Sequence, residues 1–186
     1  MQNLTGVLAL LDYLGWDLGE IIPLVGDLPQ IPGRFEVVVE KPFAVVVDYA
    51  HTPDALEKLL QTARGLKPKR VITVFGAGGN RDKTKRPLMG QIAERYSDLV
   101  VVTSDNPRWE EPREIIEDIL KGVKDKGKVL VEVDRKEAIR IALQMAREGD
   151  LVLIAGKGHE DYQEIRGERY PFDDREVVRE LLEEPF

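Results

Sequence analysis

Five short apolar runs punctuate the chain, at 43–47, 71–75, 99–103, 129–133 and 151–155, each rich in Val, Ile or Leu. Between them lie segments whose apolar residues recur every three or four positions, the period of a helix with one buried face. Thr52-Pro53 is an N-cap and first-turn pair and opens a helix over 54–64. A second helix covers 88–96, with Leu88, Ile92 and Tyr96 as its apolar stripe, and a third covers 112–123 around Ile115, Ile116, Ile119 and Leu120. Asp134 caps a fourth over 136–148, striped by Ala138, Ile141, Ala142 and Met145, and Asp173 caps a last one over 175–184. Buried strands alternating with amphipathic helices predict an α/β fold, a mostly parallel sheet covered by helices on both faces.

Two pieces stand outside this alternation. Residues 162–172 read as a hairpin around Gly167. Residues 1–41 read as one helix, a Pro/Gly loop through Pro32 and Gly33, and a strand over 35–40, with Lys41-Pro42 as a junction to the main domain, 42–186. An opening of that size cannot bury a core of its own, so it is expected to be the tail of a larger domain.

Composition narrows the chemistry. With no Cys, neither a disulfide scaffold nor a thiolate site is available, and two His make a His-type metal cage unexpected, so no metal site is predicted. Lys and Arg number 27 against 34 Asp and Glu, a net charge of −7, which speaks against nonspecific nucleic-acid binding. No apolar run approaches the ~20 residues of a membrane helix, and the start has no basic front end of a signal peptide. A cytoplasmic protein, with neither nucleic acid nor membrane as partner, is expected.

In an open parallel sheet, ligands sit where the carboxyl ends of the strands meet their loops. Four such loops are rich in glycine or hydrogen-bonding side chains: 48–51, 76–85, 104–108 and 156–160. Gly76 to Arg81 starts like a dinucleotide fingerprint but carries Arg81 where the third glycine belongs. Arg81, Lys83, Lys85 and Arg86 form a dense basic cluster at a helix start, where cations oppose the helix dipole. It reads as a carboxylate or phosphate site, or as a glycine turn with a solvated helix start. Gly156-Lys157 is followed by Gly158, not the Ser or Thr of a phosphate loop, so that loop is excluded here. Glu160 suits a cationic ligand group, or is a solvated turn residue. Asp105-Asn106-Pro107-Arg108 offers the mixed chemistry that a molecule with both ammonium and carboxylate groups needs, or forms an Asx-type turn. An isolated strand-end Asp48 or His51 is by itself a cap or turn residue. No Ser-His-Asp or Cys-His set is visible, and no catalytic residue is assigned.

The strings DYAHTPDAL (48–56), FGAGGNRDKTKRPLMG (75–90), TSDNPRWEEP (103–112) and AGKGHEDYQ (155–163) resemble, in this order and spacing, the C-terminal part of the Mur ligases. The branch they resemble adds meso-diaminopimelate in peptidoglycan synthesis. NLTGVLALL (3–11) and PGRFE (32–36) resemble the closing segments of that family's central ATPase domain. The resemblance implies a Rossmann-like C-terminal domain over 42–186, preceded by a central-domain remnant over 1–41. It implies a reaction in which ATP phosphorylates the carboxylate of a UDP-N-acetylmuramoyl-dipeptide and an incoming amine displaces the phosphate. Carried over by position, Arg81 holds a carboxylate of meso-diaminopimelate, Asp105, Asn106, Pro107 and Arg108 read its far amino-acid end, and Gly156 and Glu160 complete the contacts. Asn3, Arg34 and Asp48 lie near ATP, with His51 beside them. Lysine-adding relatives typically differ at the Arg108 position, because lysine has no second carboxylate to pair.

The family's UDP-binding domain, phosphate loop and Mg2+ ligands have no counterpart in this chain, so the chain alone is expected to be inactive. The alternative is a non-catalytic module, either a complementing subunit of a split ligase or a ligand sensor. A folylpolyglutamate-type ligase fits less well, since glutamate has no distal ammonium for Glu160.

Overall fold

The structure, a computed structural model, describes residues 2–27 and 29–183, with the side chains of 2, 3 and 27 outside the description. Its contacts divide the chain into two compact units, Met1–Gln30 and Ile31–Phe186.

The first unit consists of α1 (Gln2–Tyr13), α2 (Leu18–Leu24) and a short 3-10 turn. The sequence led us to expect only the first helix. Asp17 starts the second by accepting the N–H of Gly19 at 2.7 Å, and Pro23 sits inside it, which is why a breaker-rich stretch hid the helix. Val7, Leu10, Trp16 and Leu24 are exposed apolar residues in this unit.

The second unit is built on a six-stranded sheet. Its strands are β1 (Glu36–Val39), β2 (Ala44–Asp48), β3 (Val71–Phe75), β4 (Leu99–Val102), β5 (Val129–Val131) and β6 (Leu151–Ala155), in the order β1-β2-β6-β3-β4-β5. Pairing is parallel throughout except for β1, which runs antiparallel to β2 and pairs Glu36 with Val47. The five runs read as strands are therefore the parallel sheet, and the class is α/β. Strand β1 belongs to this sheet by its pairing, so the compact body begins at Ile31 rather than at Pro42.

Alternation along the strands sends side chains to two faces. Val46, Phe75, Val100 and Leu153 pack under α3 (Pro53–Gly65), α4 (Lys85–Tyr96) and α5 (Pro112–Leu120). Val45, Val47, Ile72, Val74, Val101 and Ile154 pack under α6 (Arg135–Met145) and α7 (Asp174–Glu183). Thr52 caps α3 through the N–H of Ala55 (3.3 Å), and Asp134 caps α6 through that of Glu137 (3.0 Å), as their sequence positions predict.

Three expectations are corrected. Helix α4 starts at Lys85, and its buried face is Arg86, Met89, Gly90 and Ala93; Leu88, placed in the apolar stripe, is 50% exposed. The helix turns this way because Arg86 is drawn inward by the carboxylates of Glu110 and of Asp118 in α5, described below. In α6 the buried residues are Arg135, Ala138, Ile139, Ala142 and Leu143, while Met145 faces outward. Helix α5 stops at Leu120, where Lys121 starts a turn, instead of reaching Val123. The last residue of the expected final helix, Glu184, lies outside the described residues. The predicted hairpin is β7 (Tyr162–Ile165) with β8 (Glu168–Pro171), separate from the main sheet. Among the described residues no helix is long and apolar enough to cross a membrane.

One buried ion pair closes the second unit at the carboxyl edge. Arg135 Nε and Nη2 donate to both carboxylate oxygens of Asp174, each at 2.8 Å, and neither side chain is exposed. The same guanidinium donates to the carbonyls of Ser104 (3.3 Å) and Ala155 (3.2 Å) at the ends of β4 and β6. Breaking a fully buried pair from one side strands the other charge. Arg135→Met is expected to cost about 3–5 kcal/mol in urea unfolding, and the double change Arg135→Met with Asp174→Leu to recover most of it. A loss below about 1 kcal/mol for the single change would show that the pair is not what holds this edge.

Candidate functional site

Because β6 lies between β2 and β3, the loops leaving β2, β3, β4 and β6 meet along one edge. They enclose a cleft of about 340 Å3. Of the residues expected to contact the diamino acid, Arg81, Asp105, Asn106, Arg108, Gly156 and Glu160 all line this cleft, as does His51. Pro107 is not in the lining; its carbonyl accepts the N–H of Glu110 (3.0 Å), and its backbone packs directly against Gly79. Tyr49, Thr52, Gly78, Lys85 and Tyr162 complete the wall. Lys85 and Gly78 belong to the glycine-rich basic loop singled out in the sequence, whereas the sequence does not assign Tyr49, Thr52 and Tyr162 to the site, because tyrosines and a threonine beside glycine loops carry no distinctive spacing.

The basic cluster divides into three roles. Arg86 is fully buried and forms a two-pronged pair with Glu110 (Nη1 to Oε2 2.9 Å, Nη2 to Oε1 3.0 Å), with a further bond to Asp118 at 2.9 Å. Its Nη2 also reaches the carbonyl of Gly78 at 3.2 Å, which ties the glycine loop to the helix that follows. Lys83 pairs with the same Glu110 at 3.0 Å. Glu110 is thus the compensation that four cations at a helix start require, and it lies inside the TSDNPRWEEP string. Lys85 Nζ donates to the carbonyl of His51 at 2.9 Å, and burial pushes its amine below the usual lysine range, against the pull of Asp105 and Asp82. Arg81 is exposed, and its Nη1 has only a long contact with the Asn80 carbonyl at 3.3 Å. It is the cation of the cluster that stands at the rim with its fork open.

Arg108 approaches from the opposite loop. It has φ of 54°, and its Nε donates to Glu164 (3.1 Å) while Nη1 donates to the carbonyl of Gly79 (3.0 Å). Its backbone N–H bonds Glu164 of β7, and its carbonyl accepts the N–H of Arg166, so the hairpin buttresses it. Gly78 lies between the two guanidinium side chains: a Cβ there would come within 3.0 Å of Arg108 Nη1 and 3.7 Å of Arg81 Cγ.

The carboxylates form an acidic wall around Gly156 and Asn106. Asp105 Oδ1 takes the N–H of Asn106 (2.6 Å), and Oδ2 sits where a Cβ on Gly156 would be, 2.6 Å away. Gly156 has φ of +121°, so only glycine lets the carboxylate in. Glu160 Oε2 accepts from Asn106 Nδ2 at 2.9 Å and from Lys157 Nζ at 3.4 Å. Asn106 Oδ1 accepts from Lys157 Nζ and from the N–H of Glu164. The Asn106 amide is therefore engaged within the protein and acts on the cleft through Glu160.

Arg34, Asp48 and His51 meet around Tyr49. Arg34 lies over the Tyr49 ring at 4.7 Å, and the rings of His51 and His159 approach it at 4.6 and 5.4 Å. Asp48 accepts the backbone N–H groups of Phe35 (2.7 Å) and Ala50 (2.8 Å), fastening the 33–35 loop to the end of β2. Burial, and after it the charge of Glu160, pushes the Tyr49 phenol up. Asn3 lies in α1 of the other unit, and its side chain is outside the described residues.

A parallel sheet with its glycine-rich loops gathered over the strand ends, and a cleft lined by both guanidinium and carboxylate side chains, is matched by a known family. Residues 33–158 fit the Mur ligase, glutamate ligase domain, and the chain belongs to that family. Among curated relatives it is 63% identical over 153 residues to UDP-N-acetylmuramoyl-L-alanyl-D-glutamate--2,6-diaminopimelate ligase of Aquifex aeolicus, covering 82% of this chain and 32% of that protein. A solved structure of a ligase with that same name superposes with a TM-score of 0.76 at 44% identity, over 97% of this chain and 37% of the other. A UDP-N-acetylmuramate-alanine ligase of Thermotoga maritima, 23% identical with a TM-score of 0.65 over 95% of this chain and 35% of its own, shares the fold. The chain thus spans about a third of the length of the proteins it matches.

The clasp on Glu110 makes a pH prediction. Hydrogen bonds from Arg86 hold its carboxyl at about 2, against 4.5 for a free glutamate, and the carboxylate is little exposed. A carboxyl with a depressed folded pKa adds stability that is complete above its unfolded pKa and disappears as pH falls through the folded one. The 2.5-unit difference corresponds to about 3 kcal/mol. Unfolding free energy should fall between about pH 4.5 and 2, and Glu110→Gln should flatten that limb; an unchanged acid limb in the variant would contradict the clasp.

Proposed function

We propose that this chain is the amino-acid-binding C-terminal domain of an ATP-dependent ligase that joins meso-diaminopimelate to UDP-N-acetylmuramoyl-L-alanyl-D-glutamate in peptidoglycan synthesis. The observation that carries the reading is the gathering of both charges in one cleft: the guanidinium side chains Arg81 and Arg108 beside Gly78, and the carboxylates Asp105 and Glu160 in the same lining. A free diamino diacid offers two carboxylates and two ammonium groups. One amine must lose its proton and react, which leaves the far end as an intact zwitterion for a guanidinium and a carboxylate to bind.

In this reading ATP supplies a phosphoryl group that converts the acceptor carboxylate into an acyl phosphate, releasing ADP. The amine held at this cleft attacks the acyl carbon, phosphate leaves, and the amine's extra proton is lost. The chain's own residues supply placement. Arg108, buttressed by Glu164, receives the distal carboxylate in a fixed orientation. Glu160 and Asp105 receive the neighbouring ammonium, and Arg81 reaches the other carboxylate from the rim. Arg34 on its Tyr49 platform suits the polar edge of a nucleotide, whereas Asp48 acts by fixing the loop that carries Arg34. The fit to ATP stops there: the sequence contains no Gly-x4-Gly-Lys-Ser/Thr loop. Among the described residues no group of three His, Asp or Glu could hold a metal ion. The phosphate loop and the Mg2+ ligands then belong to the remainder of the intact enzyme, the segment before Ile31 closes its central domain, and this chain by itself binds the amino acid without forming the bond.

Lysine keeps the distal ammonium and lacks the distal carboxylate, so it leaves Arg108 without a partner, and a charge-assisted hydrogen bond is worth about 1.5–3 kcal/mol. Calorimetry or amide NMR should therefore show meso-diaminopimelate binding at least about tenfold tighter than lysine, with shifts at Arg81, Arg108 and Glu160. Arg108→Ala should abolish the difference. Equal responses to the two ligands in the unmodified protein would refute the assignment.

A further inference from the structure

Lysine is almost never fully buried unless its ammonium is paired, yet the Lys157 side chain has no exposure. Its place follows from its neighbours. Gly156 and Gly158 have φ of +121° and +54°, and a Cβ on Gly158 would collide with Tyr49 and with the carbonyl of Gly33. The turn is therefore pressed against the protein on both sides, and residue 157 points inward. There its Nζ lies 3.2 Å from Asn106 Oδ1, 3.4 Å from Glu160 Oε2 and 5.4 Å from the centre of the Tyr162 ring. These distances are at or beyond the long end for N–H···O bonds, as expected of a compact charge shared among several acceptors.

Two groups take their orientation from this charge. Asn106 turns Oδ1 to Lys157 and Nδ2 to Glu160. Glu160 has Oε2 occupied twice, by Lys157 and Asn106, so its free oxygen is Oε1. We infer that Lys157 is a positioning residue: its buried ammonium locks the Asn106 amide and the Glu160 carboxylate in one arrangement that offers Oε1 of Glu160 to the cleft, and so sets the preference for a ligand ammonium at that end. A carboxylate on a surface turn ordinarily samples several rotamers, and a ligand must bear the cost of ordering it. Here the ordering precedes binding, which is where preorganised sites gain affinity. Lys157 also offsets one of the two carboxylates, Asp105 and Glu160, that share this wall. The locking stands on geometry alone, while the ligand's identity rests on the proposed function.

The test compares the unmodified chain with Lys157→Met, which keeps length and removes the charge, and with Lys157→Arg, which keeps the charge. The readouts are the side-chain amide signals of Asn106 in a 15N–1H spectrum, the thermal midpoint, and affinities for meso-diaminopimelate and for pimelate, which has both carboxylates and no ammonium. In Lys157→Met the Asn106 signals should move, meso-diaminopimelate should bind about tenfold more weakly, and pimelate affinity should stay put. The midpoint should fall, since removing one partner of a buried pair leaves the other without its counter-charge, and the ligand comparison is made below it, where the variant is folded. Lys157→Arg should restore part of the discrimination. Unmoved Asn106 signals in a folded Lys157→Met protein, or equal losses for the two ligands, would overturn the inference. Should Lys157→Met not fold, the ammonium signal of Lys157 in the unmodified protein decides: it should be protected from exchange and shift on Glu160→Gln, and a signal exchanging at the solvent rate would overturn the inference. If the unmodified chain binds neither ligand, it is the proposed function that fails for this chain, and the Asn106 and Lys157 signals still judge the locking.

Discussion

A guanidinium sealed from solvent holds the working edge of this protein together. Arg135 projects from the start of α6, pairs with Asp174 at the start of α7, and donates to the carbonyls that end β4 and β6. Those two strands are not neighbours; β3 lies between them. One planar cation therefore sets the spacing of the two loops that supply the acidic wall of the cleft. Desolvation works against its charge, and the carboxylate of Asp174 foremost, then Asp105 and Glu160, more than offset that cost. The charge that fastens the fold is thus also felt by carboxylates that line the cleft.

The same logic repeats at three depths. Arg135 lies beneath the strand ends, Lys157 behind Asn106 and Glu160, and Arg86 behind the glycine loop, where it binds Glu110 and Asp118. Each is a fully buried cation bonded to groups whose neighbours face the cleft. Arg81 and Arg108 line the cleft, while Glu110 takes the charge of Lys83 beside Arg81 and Glu164 holds Arg108 through its Nε. The cleft is polar without being loose, since its charged side chains are bonded within the protein: Arg108 to Glu164, Glu160 to Lys157 and Asn106, Lys85 to the His51 carbonyl and Asp105 to the Asn106 N–H.

Much of this architecture was legible in the sequence. The Val- and Ile-rich runs defined the parallel sheet, Thr52-Pro53 and Asp134 marked two helix starts, and the strand-end rule brought Arg81, Asp105, Arg108, Gly156 and Glu160 to one cleft. What escaped were features decided by contacts between distant segments. A basic string at 83–86 reads as solvated, and nothing local says that Glu110, some two dozen residues on, draws Arg86 into the core and rotates α4 until Leu88 faces water. Strand β1 looked like part of the opening segment because an antiparallel edge strand after a Pro/Gly loop carries no mark of its partner. Lys157 looked like the lysine of a failed phosphate loop, and its burial depends on Tyr49 and Gly33 closing over Gly158.

The account stands on a cleft that gathers guanidinium and carboxylate side chains to meet a zwitterion. A crystal structure of the chain soaked with meso-diaminopimelate tests this most directly. The predicted density runs across the cleft, with a carboxylate against the guanidinium of Arg108 and the adjacent ammonium on the carboxylates of Glu160 and Asp105. A diamino acid lying in the reverse sense, its ammonium toward Arg108, or one bound away from this cleft, would contradict it.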